Sequence, residues 1–564
     1  PRRRAVPKTR GQVVEFYDDI EFDEWCAANP GAISHYKIDY IKGLASHEPD
    51  VYDHMFKTFK QNVVTYNHDA YGETRLEVMF GEDTSKRKKW LAKPSVSTPL
   101  TSKMVKSTRI DTTGNLVDCQ GYEHAKSNIV QKLWSVIDGM NESGRKVLSG
   151  CLKAFKHEDK IKVAILSGHI TATEHYQHNK SSLQESIVAK GFIAVGGTQL
   201  PQIIPRAMLG SRSYGGGIAN GDCGAARYVY VSLNHRLTDL LYPAADIPLL
   251  EYNTEDGVGV EPKYFVPVLP MAVLESVHTP AHGWKIKMWA RDTMETINRV
   301  RFLINCYVSD RATLETGLAP IKTHTRGFKG EFRYHRGREY CFGTYVFDPA
   351  TRLLRITELP LRQWTQRYVD ALNSDAEGSI KYVEFEHGDT NVKVQMFSEA
   401  ADYSTADDIC IELYLSPIDK ATGFDPLRYI TDCANGGFAD GIEVYFGLYK
   451  SMRPTISLLD VDNRVLEYTN YEEPVKRWFI TRKAFYIARI TRQLVIAQTK
   501  LKILTAQIKY IALREELAVD GKDEAVVIEL CKTHGLPVAV VSLEDGHRIV
   551  NKAKQYIPTD RISA

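Results

Sequence analysis

The sequence lacks several features that would assign it to a common class of protein. Its nine cysteines are scattered without a Cys-x-x-Cys pair, which argues against a zinc ribbon or a disulfide framework and favours a reducing compartment. No apolar run approaches the ~20 residues of a membrane span, and no secretory signal is visible, so we expect no membrane partner. No Gly-x-x-x-x-Gly-Lys-Ser/Thr segment is present, which argues against a P-loop nucleotide site.

The chain also lacks a strong excess of charge. Its formal net charge is only +2 over 564 residues, so a nucleic-acid surface would have to come from clustering. Pro1-Arg-Arg-Arg and Lys86-Arg-Lys-Lys-Trp are such clusters, although each run is equally typical of a solvated tail or face. The length predicts several domains of ~100–200 residues. Because the sequence begins without Met, we expect a fragment or a processed piece.

What the sequence does contain is a glycine-rich segment that leads to a tyrosine. Leu209-Gly-Ser-Arg-Ser-Tyr-Gly-Gly-Gly continues through Gly221-Asp-Cys-Gly-Ala-Ala-Arg to Tyr228, and the strand-like run Val229-Tyr-Val-Ser-Leu follows. A phenol becomes a good nucleophile only when a neighbouring cation or base activates it, and the guanidinium of Arg227 can also hold a phosphate. Adjacent side chains of an extended segment point to opposite faces, so a turn has to set the position of Arg227. Taken alone, Tyr228 is also compatible with an ordinary surface tyrosine.

Further motifs occur in a fixed order on both sides of this tyrosine. They are Val136-Ile-Asp-Gly, Gly144-Arg-Lys-Val-Leu, Lys162-Val-Ala-Ile-Leu-Ser-Gly, His175-Tyr-Gln-His-Asn, Val260-Glu-Pro-Lys-Tyr-Phe-Val-Pro-Val-Leu-Pro-Met, Gly327-Phe-Lys-Gly and Thr357-Glu-Leu-Pro-Leu-Arg-Gln-Trp-Thr-Gln. With the tyrosine segment, this series resembles the type IIA DNA topoisomerases of the eukaryotic kind, including those of large cytoplasmic DNA viruses such as African swine fever virus. The resemblance covers most of the chain.

The resemblance implies a DNA breakage-reunion core. Each of two subunits would cleave one strand of duplex DNA through a transient 5′-phosphotyrosine link, and a second duplex would pass through the break. The implied partners are double-stranded DNA and a second copy of the chain. Magnesium and ATP are the implied cofactors, and we expect their ligands and binding domain outside this chain. We expect the host cytoplasm as the location if the source is a virus, and the nucleus otherwise.

The resemblance also implies roles for particular residues. The catalytic candidates are Tyr228, Arg227, His178 and Arg145, and the DNA-binding candidates are Lys162, Arg212, Pro280, Lys329 and Lys42. Arg145 and Lys162 would flank the scissile phosphates, and His178 would lie near the tyrosine. His178 is also compatible with a structural role, or with a zinc site shared with His175.

Pro280 corresponds to the position at which the family inserts an apolar residue between base pairs. Proline is an accepted wedge for unstacking a base step. A shift of one residue in the correspondence is possible, and Val277 is then the next candidate. An ordinary loop proline is the alternative.

The predicted fold class is multidomain α/β and α, in four segments. Residues 1–93 resemble the C-terminal part of a TOPRIM domain, and residues 94–250 hold a polar linker, to about residue 125, and a winged-helix domain with Tyr228. Residues 251–440 resemble the α/β tower domain, and residues 441–564 a coiled coil with a helical C-gate. Within the last segment, apolar residues at a and d positions predict a long helix from Pro474 to Asp520.

Two other functional classes compete with the topoisomerase interpretation. A structural coiled-coil protein that organises DNA would explain the long helix, but such proteins need terminal ATPase heads. A tyrosine recombinase would explain the tyrosine, but it needs an Arg-His-x-x-Arg type of catalytic set, which the sequence lacks.

Overall fold

The structure is a computed structural model. It describes residues 3–9, 11–16, 19–40, 49–57, 59, 63–93, 110–155, 159–255, 257–308, 319–387, 390–517, 524–536, 542–544 and 547–548. Within these ranges, every helix is too short or too polar to cross a lipid bilayer.

Helices make up much of the N-terminal half and most of the described residues from 472 to 536. Their bounds are α1 Asp19–Ala28, α2 Pro49–Lys57, α3 Ala70–Phe80, α4 Thr84–Leu91, α5 Thr113–Leu116, α6 Tyr122–Lys132, α7 Glu142–Ala154, α8 Val163–Glu174, α9 Lys180–Gly191, α10 His235–Leu241, α11 Met271–Leu274, α12 Thr293–Val308, α13 Thr365–Leu372, α14 Pro426–Asp432, α15 Gly441–Tyr445, α16 Glu472–Leu517 and α17 Glu524–Thr533.

The strands form small sheets rather than one continuous sheet. Their bounds are β1 Arg3–Pro7, β2 Val14–Phe16, β3 Tyr36–Tyr40, β4 Thr65–Asn67, β5 Ile110–Thr112, β6 Ile161–Lys162, β7 Ile203–Pro205, β8 Gly210–Ser211, β9 Gly215–Gly216, β10 Tyr230–Leu233, β11 Tyr252–Glu255, β12 Val258–Pro262, β13 Val277–Pro280, β14 Lys285–Met288, β15 Glu331–His335, β16 Arg338–Phe342, β17 Thr344–Asp348, β18 Leu353–Glu358, β19 Tyr382–His387, β20 Thr390–Gln395, β21 Ala401–Asp402, β22 Ile411–Tyr414, β23 Tyr449–Ser451, β24 Ile456–Leu459, β25 Val465–Tyr468, β26 Ser542–Glu544 and β27 His547–Arg548.

The predicted linker is wrong in its second half. Residues 94–109 lie outside the described residues, but β5, α5 and α6 follow directly from residue 110. The carboxylate of Asp118 holds this part in place, because it accepts hydrogen bonds from the guanidinium of Arg75 and from the indole of Trp90. Tyr122 packs edge-on against Trp90, with ring centroids 5.8 Å apart. The polar composition of the segment did not predict this partly buried ion pair between Arg75 and Asp118.

Three helices and a small sheet surround the tyrosine segment. Helices α7, α8 and α9 pack together, and the sheet has the antiparallel order β6-β10-β7. Helix α9 begins after Asn179, whose side chain accepts a hydrogen bond from the backbone of Ser181, as expected of a capped helix. The apolar faces of the helices and the sheet share one core that includes Val147, Leu166 and Val231.

The alternating run from Tyr340 to Phe347 forms two strands rather than one. Strands β16 and β17 are separated by Gly343, where a side-chain carbon would lie only 2.3 Å from the carbonyl oxygen of Glu358. β16 therefore pairs with β15 and β23, whereas β17 belongs to the separate sheet of order β17-β18-β22-β21.

The largest hydrophobic core draws residues from all four predicted segments. Leu91, Ile129, Val273 and Val475 are all part of it. The predicted boundaries at 93, 250 and 440 stay predictions, but the described parts of these segments share buried apolar surface.

The prediction of a long helix is confirmed by α16, which has 46 residues. Its first turns are anchored, since Trp478 is 1% exposed and donates a hydrogen bond to the carbonyl oxygen of Pro267 at 3.1 Å. Arg482 is also buried and pairs with Asp246 at 2.6 Å. The predicted a and d positions lie further along and are exposed in this single chain: Ile487, Ile490, Leu494, Ala497, Leu501, Leu504, Ile508 and Ile511.

Candidate active site around Tyr228

Tyr228 lies in a tight turn immediately before β10. The turn is closed by the backbone N–H of Tyr228, which donates to the carbonyl oxygen of Ala225 at 2.8 Å. It places the guanidinium carbon of Arg227 4.8 Å from the centre of the Tyr228 ring, so the two side chains share one face, unlike neighbours on an extended strand. The Tyr228 side chain is also 66% exposed. A ligand in solvent can therefore reach the phenol and the guanidinium together.

The backbone of this turn is fixed to the start of α8. The N–H of Val163 donates to the carbonyl oxygen of Val229, and the N–H of Ala164 donates to that of Ala226, both at 3.0 Å. Ala226 and Val229 are themselves buried in the core of this region. The backbone before and after Tyr228 is therefore fixed by hydrogen bonds, although the tyrosine side chain is exposed.

Several cations lie near Tyr230, which follows the tyrosine turn on β10. Lys162 pairs directly with Tyr230 across β6 and β10, and the ammonium nitrogens of Lys160 and Lys162 lie 5.4 and 5.5 Å from the Tyr230 ring. The backbone N–H of Arg206 donates to the carbonyl oxygen of Tyr230 at 2.9 Å, and its side chain is exposed. A cluster of cations of this kind can bind the phosphates of a nucleic-acid backbone.

The sequence analysis found Lys162 but missed Lys160 and Arg206. The alternation in Lys160-Ile-Lys162 could have revealed Lys160, because residues two apart on a strand share a face. The position of Arg206 follows from the pairing of β7 with β10, which no local pattern specifies.

Two carboxylates accept hydrogen bonds that stabilise the bends of the glycine-rich segment. Asp222 accepts a hydrogen bond from the hydroxyl of Ser211. Glu185 on α9 accepts hydrogen bonds from the backbone of Ile218 and Ala219 at 3.0 and 2.9 Å. Gly215 has a φ of 86°, and a side-chain carbon there would lie 2.7 Å from the indole of Trp364. This position therefore needs glycine both for its backbone conformation and for the close approach of the ring.

Arg212 does not lie where a DNA contact requires it. Its side chain is 1% exposed and forms a buried ion pair with Glu358. It also donates to the carbonyl oxygens of Leu359 and Gln363 at 3.1 and 3.2 Å. The predicted phosphate contact does not fit this placement, because the charge is already used to bind the glycine-rich segment to the segment after β18.

Arg145 is buried in the same manner. Its guanidinium is 2.9 Å from a carboxylate oxygen of Asp138, which also accepts a hydrogen bond from the backbone of Phe265 at 3.1 Å. The neighbouring Lys146 pairs with Glu255 and Glu261, each at 2.8 Å. A role for Arg145 beside a scissile phosphate does not fit this placement, since its charge is enclosed and paired.

The two predicted histidines are not brought together as a metal site. His178 is exposed and packs edge-on against Tyr176, with ring centroids 5.5 Å apart. His175 ends α8 with a φ of 49°. In the part of the chain that the structure describes, no hydrogen bond joins His178 to Tyr228, and no three His, Cys, Asp or Glu side chains form a metal-binding group.

The other predicted DNA contacts have diverse placements. Lys329 is exposed and pairs with Asp408 at 2.6 Å, and that hydrogen bond raises the pKa of its ammonium group. Lys42 lies outside the described residues. Pro280 is exposed at the end of the hairpin formed by β13 and β14, opposite Lys285. Val277, the alternative wedge, is 5% exposed and therefore cannot reach a base step without unfolding the hairpin.

Comparison with known proteins places these features in a family. A family model for the A-type subunits of DNA gyrase and topoisomerase IV matches residues 133–526, and a model of the C-terminal associated domain of TOPRIM matches residues 3–113. The chain is 28% identical to DNA topoisomerase 2 of African swine fever virus (isolate Tick/Malawi/Lil 20-1/1983) over 551 residues, which is 95% of this chain and 44% of that protein. It is 27% identical to DNA topoisomerase 2 of Drosophila melanogaster over 406 residues, which is 68% of this chain and 27% of that protein.

A solved structure has the same fold. The crystal structure of the Plasmodium falciparum topoisomerase II DNA-binding, cleavage and re-ligation domain superposes with a TM-score of 0.72 at 22% sequence identity, over 95% of this chain and 67% of that chain. The chain spans less than half the length of the viral relatives that it matches.

The buried pair between Arg212 and Glu358 gives a test of how the tyrosine segment is held. Arg212→Met leaves a buried carboxylate without its partner, and such a loss costs ~3–5 kcal/mol. We expect faster hydrogen exchange of the amides in residues 209–223, measured by mass spectrometry. The double variant Arg212→Met/Glu358→Leu should recover part of the loss, because it leaves no unpaired charge. Lys329→Met is the control at an exposed pair and should change little; an equal effect of both single variants would contradict this account.

Proposed function

The chain belongs to the family of DNA gyrase and topoisomerase IV A-type subunits, and we propose that it is the DNA breakage-reunion core of a type IIA DNA topoisomerase, with Tyr228 as the nucleophile. The observation that carries the proposal is the exposed phenol of Tyr228 beside the guanidinium of Arg227, within a turn that the fold holds rigidly. No comparable observation favours a structural coiled-coil protein or a recombinase.

The reaction is an exchange of phosphate esters. The phenolic oxygen of Tyr228 attacks the phosphorus of a DNA phosphodiester, and the bond from phosphorus to the 3′ oxygen breaks. The 5′ end is then esterified to the tyrosine, and the 3′ oxygen leaves as a hydroxyl. Because one phosphodiester replaces another, the 3′ hydroxyl can reverse the step and reseal the strand without an energy source.

The residues of this chain supply positive charge for that exchange. Arg227 lies against the phenol, where its guanidinium can contact the phosphate. Lys160, Lys162 and Arg206 extend the positive surface from the turn along β6, β7 and β10. His178 remains the proposed partner for proton transfer, and it would have to approach Tyr228 when DNA binds.

Magnesium and ATP belong to the proposal as cofactors of the whole protein. The described residues contain no converging set of metal ligands, so they do not fit a magnesium ion, and no step of the reaction above is assigned to one. We propose that the metal ligands and the ATP-binding domain lie on other segments of the full-length protein.

We propose four functional regions for the chain. The match to the TOPRIM-associated domain supports a TOPRIM-linked region at the N terminus. Helices α7 to α9 with the sheet β6-β10-β7 support a winged-helix domain around Tyr228. The sheets of β15 to β23 would form the tower that lines the DNA path, and α16 would lead to the C-gate.

Replacing the nucleophile should separate binding from chemistry. In the full-length protein, Tyr228→Phe should abolish the covalent protein–DNA complex, because only the attacking oxygen is lost. DNA affinity should persist, since it depends on phosphate contacts. Tyr403→Phe is the control at a tyrosine of similar exposure, 63%, and should still form the complex. Adduct formation by Tyr228→Phe, measured after denaturation by gel electrophoresis of labelled DNA, would refute the assignment.

Double-strand cleavage with one nucleophile per chain requires two copies. We propose a homodimer, in which the exposed apolar stripe of α16 has a partner helix. Co-expression of wild-type and Tyr228→Phe chains with different tags should yield a heterodimer that nicks one strand of a supercoiled plasmid, whereas the wild-type dimer linearises it. Linear product from the isolated heterodimer, or sedimentation of the full-length protein as a monomer only, would exclude the proposal.

Pro280 is the proposed wedge that bends bound DNA. Sharp bending of a short duplex costs ~1–6 kcal/mol, and an apolar wedge localises it at one base step. Pro280→Gly should reduce the bend, measured by energy transfer between end-labelled duplex arms, and should slow cleavage. Asn463→Gly, in the exposed turn between β24 and β25, is the control at another hairpin. Unchanged bending with Pro280→Gly would mean that this hairpin is not the wedge.

A further inference from the structure

A large cavity lies beside the candidate active site and shares only His178 with the catalytic residues proposed above. Its volume is about 950 Å³, and its walls include Asn141 before α7, Lys190 on α9, Phe192, Arg362 and Trp364. Tyr228 and Arg227 do not line it. The cavity lies between α9 and the segment after β18. The glycine-rich segment is joined to the end of β18 by the pair of Arg212 and Glu358.

Two of the cationic side chains that line this cavity form no direct contact with a carboxylate in the described part of the chain. Neither Lys190 nor Arg362 lies within ion-pair or hydrogen-bonding distance of a carboxylate among the residues that the structure describes. Lys190 approaches the first turn of α7, where a side-chain carbon at Gly144 would lie 3.4 Å from its ammonium nitrogen. Burial lowers the pKa of both groups below their usual values. A bound anion would give both groups a directly contacting counter-ion.

The carboxylates nearest to Lys190 already form hydrogen bonds or ion pairs with other groups. Both oxygens of Glu275 accept backbone hydrogen bonds, from Gln199 and Leu200 at 2.9 Å. Asp138 pairs with Arg145 at 2.9 Å. Both carboxylates act on Lys190 through space, but neither forms an ion pair with it. The cavity lining carries three basic side chains, Lys132, Lys190 and Arg362, against two acidic ones, Asp138 and Glu275.

Aromatic rings also line the cavity. Phe192 and Trp364 meet edge to face, with ring centroids 6.3 Å apart. Trp364 is fixed by its close packing on Gly215, and the guanidinium of Arg362 lies 5.5 Å from the ring of Trp289. A ligand that combines a planar ring with an anionic group can contact the aromatic rings with the first and the cations with the second. The volume suits a small organic molecule, and a guanidinium suits a phosphate.

We propose that this cavity binds a small ring-bearing phosphate, of the size and chemistry of a nucleoside monophosphate. Its phosphate would lie between Lys190 and Arg362, and its base would lie against Trp364 and Phe192. Because the ligand would contact both α9 and the segment after β18, its binding would stabilise the junction that holds the tyrosine segment. This inference does not depend on the proposed catalytic function.

The test is calorimetric titration of the chain with AMP, with orthophosphate and with a short 5′-phosphorylated duplex as separate probes. AMP should bind more tightly than orthophosphate, because the ring adds contacts. Lys190→Met and Arg362→Met should each weaken AMP binding at least about tenfold, the effect expected from losing one charge-assisted contact. Lys180→Met on α9 and Arg367→Met on α13, both exposed, are the matched controls and should bind AMP as the unmodified chain does.

A variant that fills the cavity with a larger side chain separates loss of the site from loss of the fold. Ala189 is exposed and lines the cavity, so Ala189→Trp should block the ligand without removing either cation, while the thermal transition stays unchanged. Absence of AMP binding, or binding that all three cavity variants retain, would overturn the proposal. It would also be overturned if the cation variants lost only duplex binding, because the cavity would then serve the DNA backbone.

Discussion

The buried ion pair between Arg212 and Glu358 is the interaction on which the candidate site depends. Arg212 belongs to the glycine-rich segment that leads to Tyr228, and Glu358 ends β18. The second oxygen of Glu358 accepts a hydrogen bond from the backbone of Lys329 at 3.2 Å. Three motifs that lie far apart in the sequence therefore meet at one carboxylate. Because an unpaired charge at this depth is costly, these segments are stable in this arrangement only together.

This constraint explains how an exposed tyrosine can be held accurately. Tyr228 makes few contacts of its own, but the turn that carries it is bonded to the start of α8 through Ala226 and Val229. The preceding glycines give that segment its tight bends, and Glu185 on α9 binds the backbone at Ile218 and Ala219. The phenol is thus free to meet a substrate, while its backbone is positioned by buried groups. Such support from surrounding residues is what a catalytic group requires.

The sequence predicted those parts of the site that depend on local pattern or on family resemblance. The turn before β10 and the long helix α16 follow from patterns of a few residues to a few heptads. The burial of Arg145 and Arg212 could not be predicted, because an arginine that binds a phosphate and one that pairs with a distant carboxylate have the same local sequence. The same reason explains the linker, where the ion pair between Asp118 and Arg75 orders a polar segment. Val277 and Pro280 differ only through the register of one hairpin, which decides that the first is buried and the second exposed.

The central claim is that the phenolic oxygen of Tyr228 forms the bond to DNA. The most direct measurement is to trap the covalent complex of the full-length protein, digest it with nuclease and protease, and locate the attached nucleotide by tandem mass spectrometry. The account predicts a 5′-phosphorylated nucleotide on the peptide that contains Arg227 and Tyr228, with fragment ions that assign it to Tyr228. A nucleotide attached to any other residue, such as the neighbouring Tyr230, would contradict it.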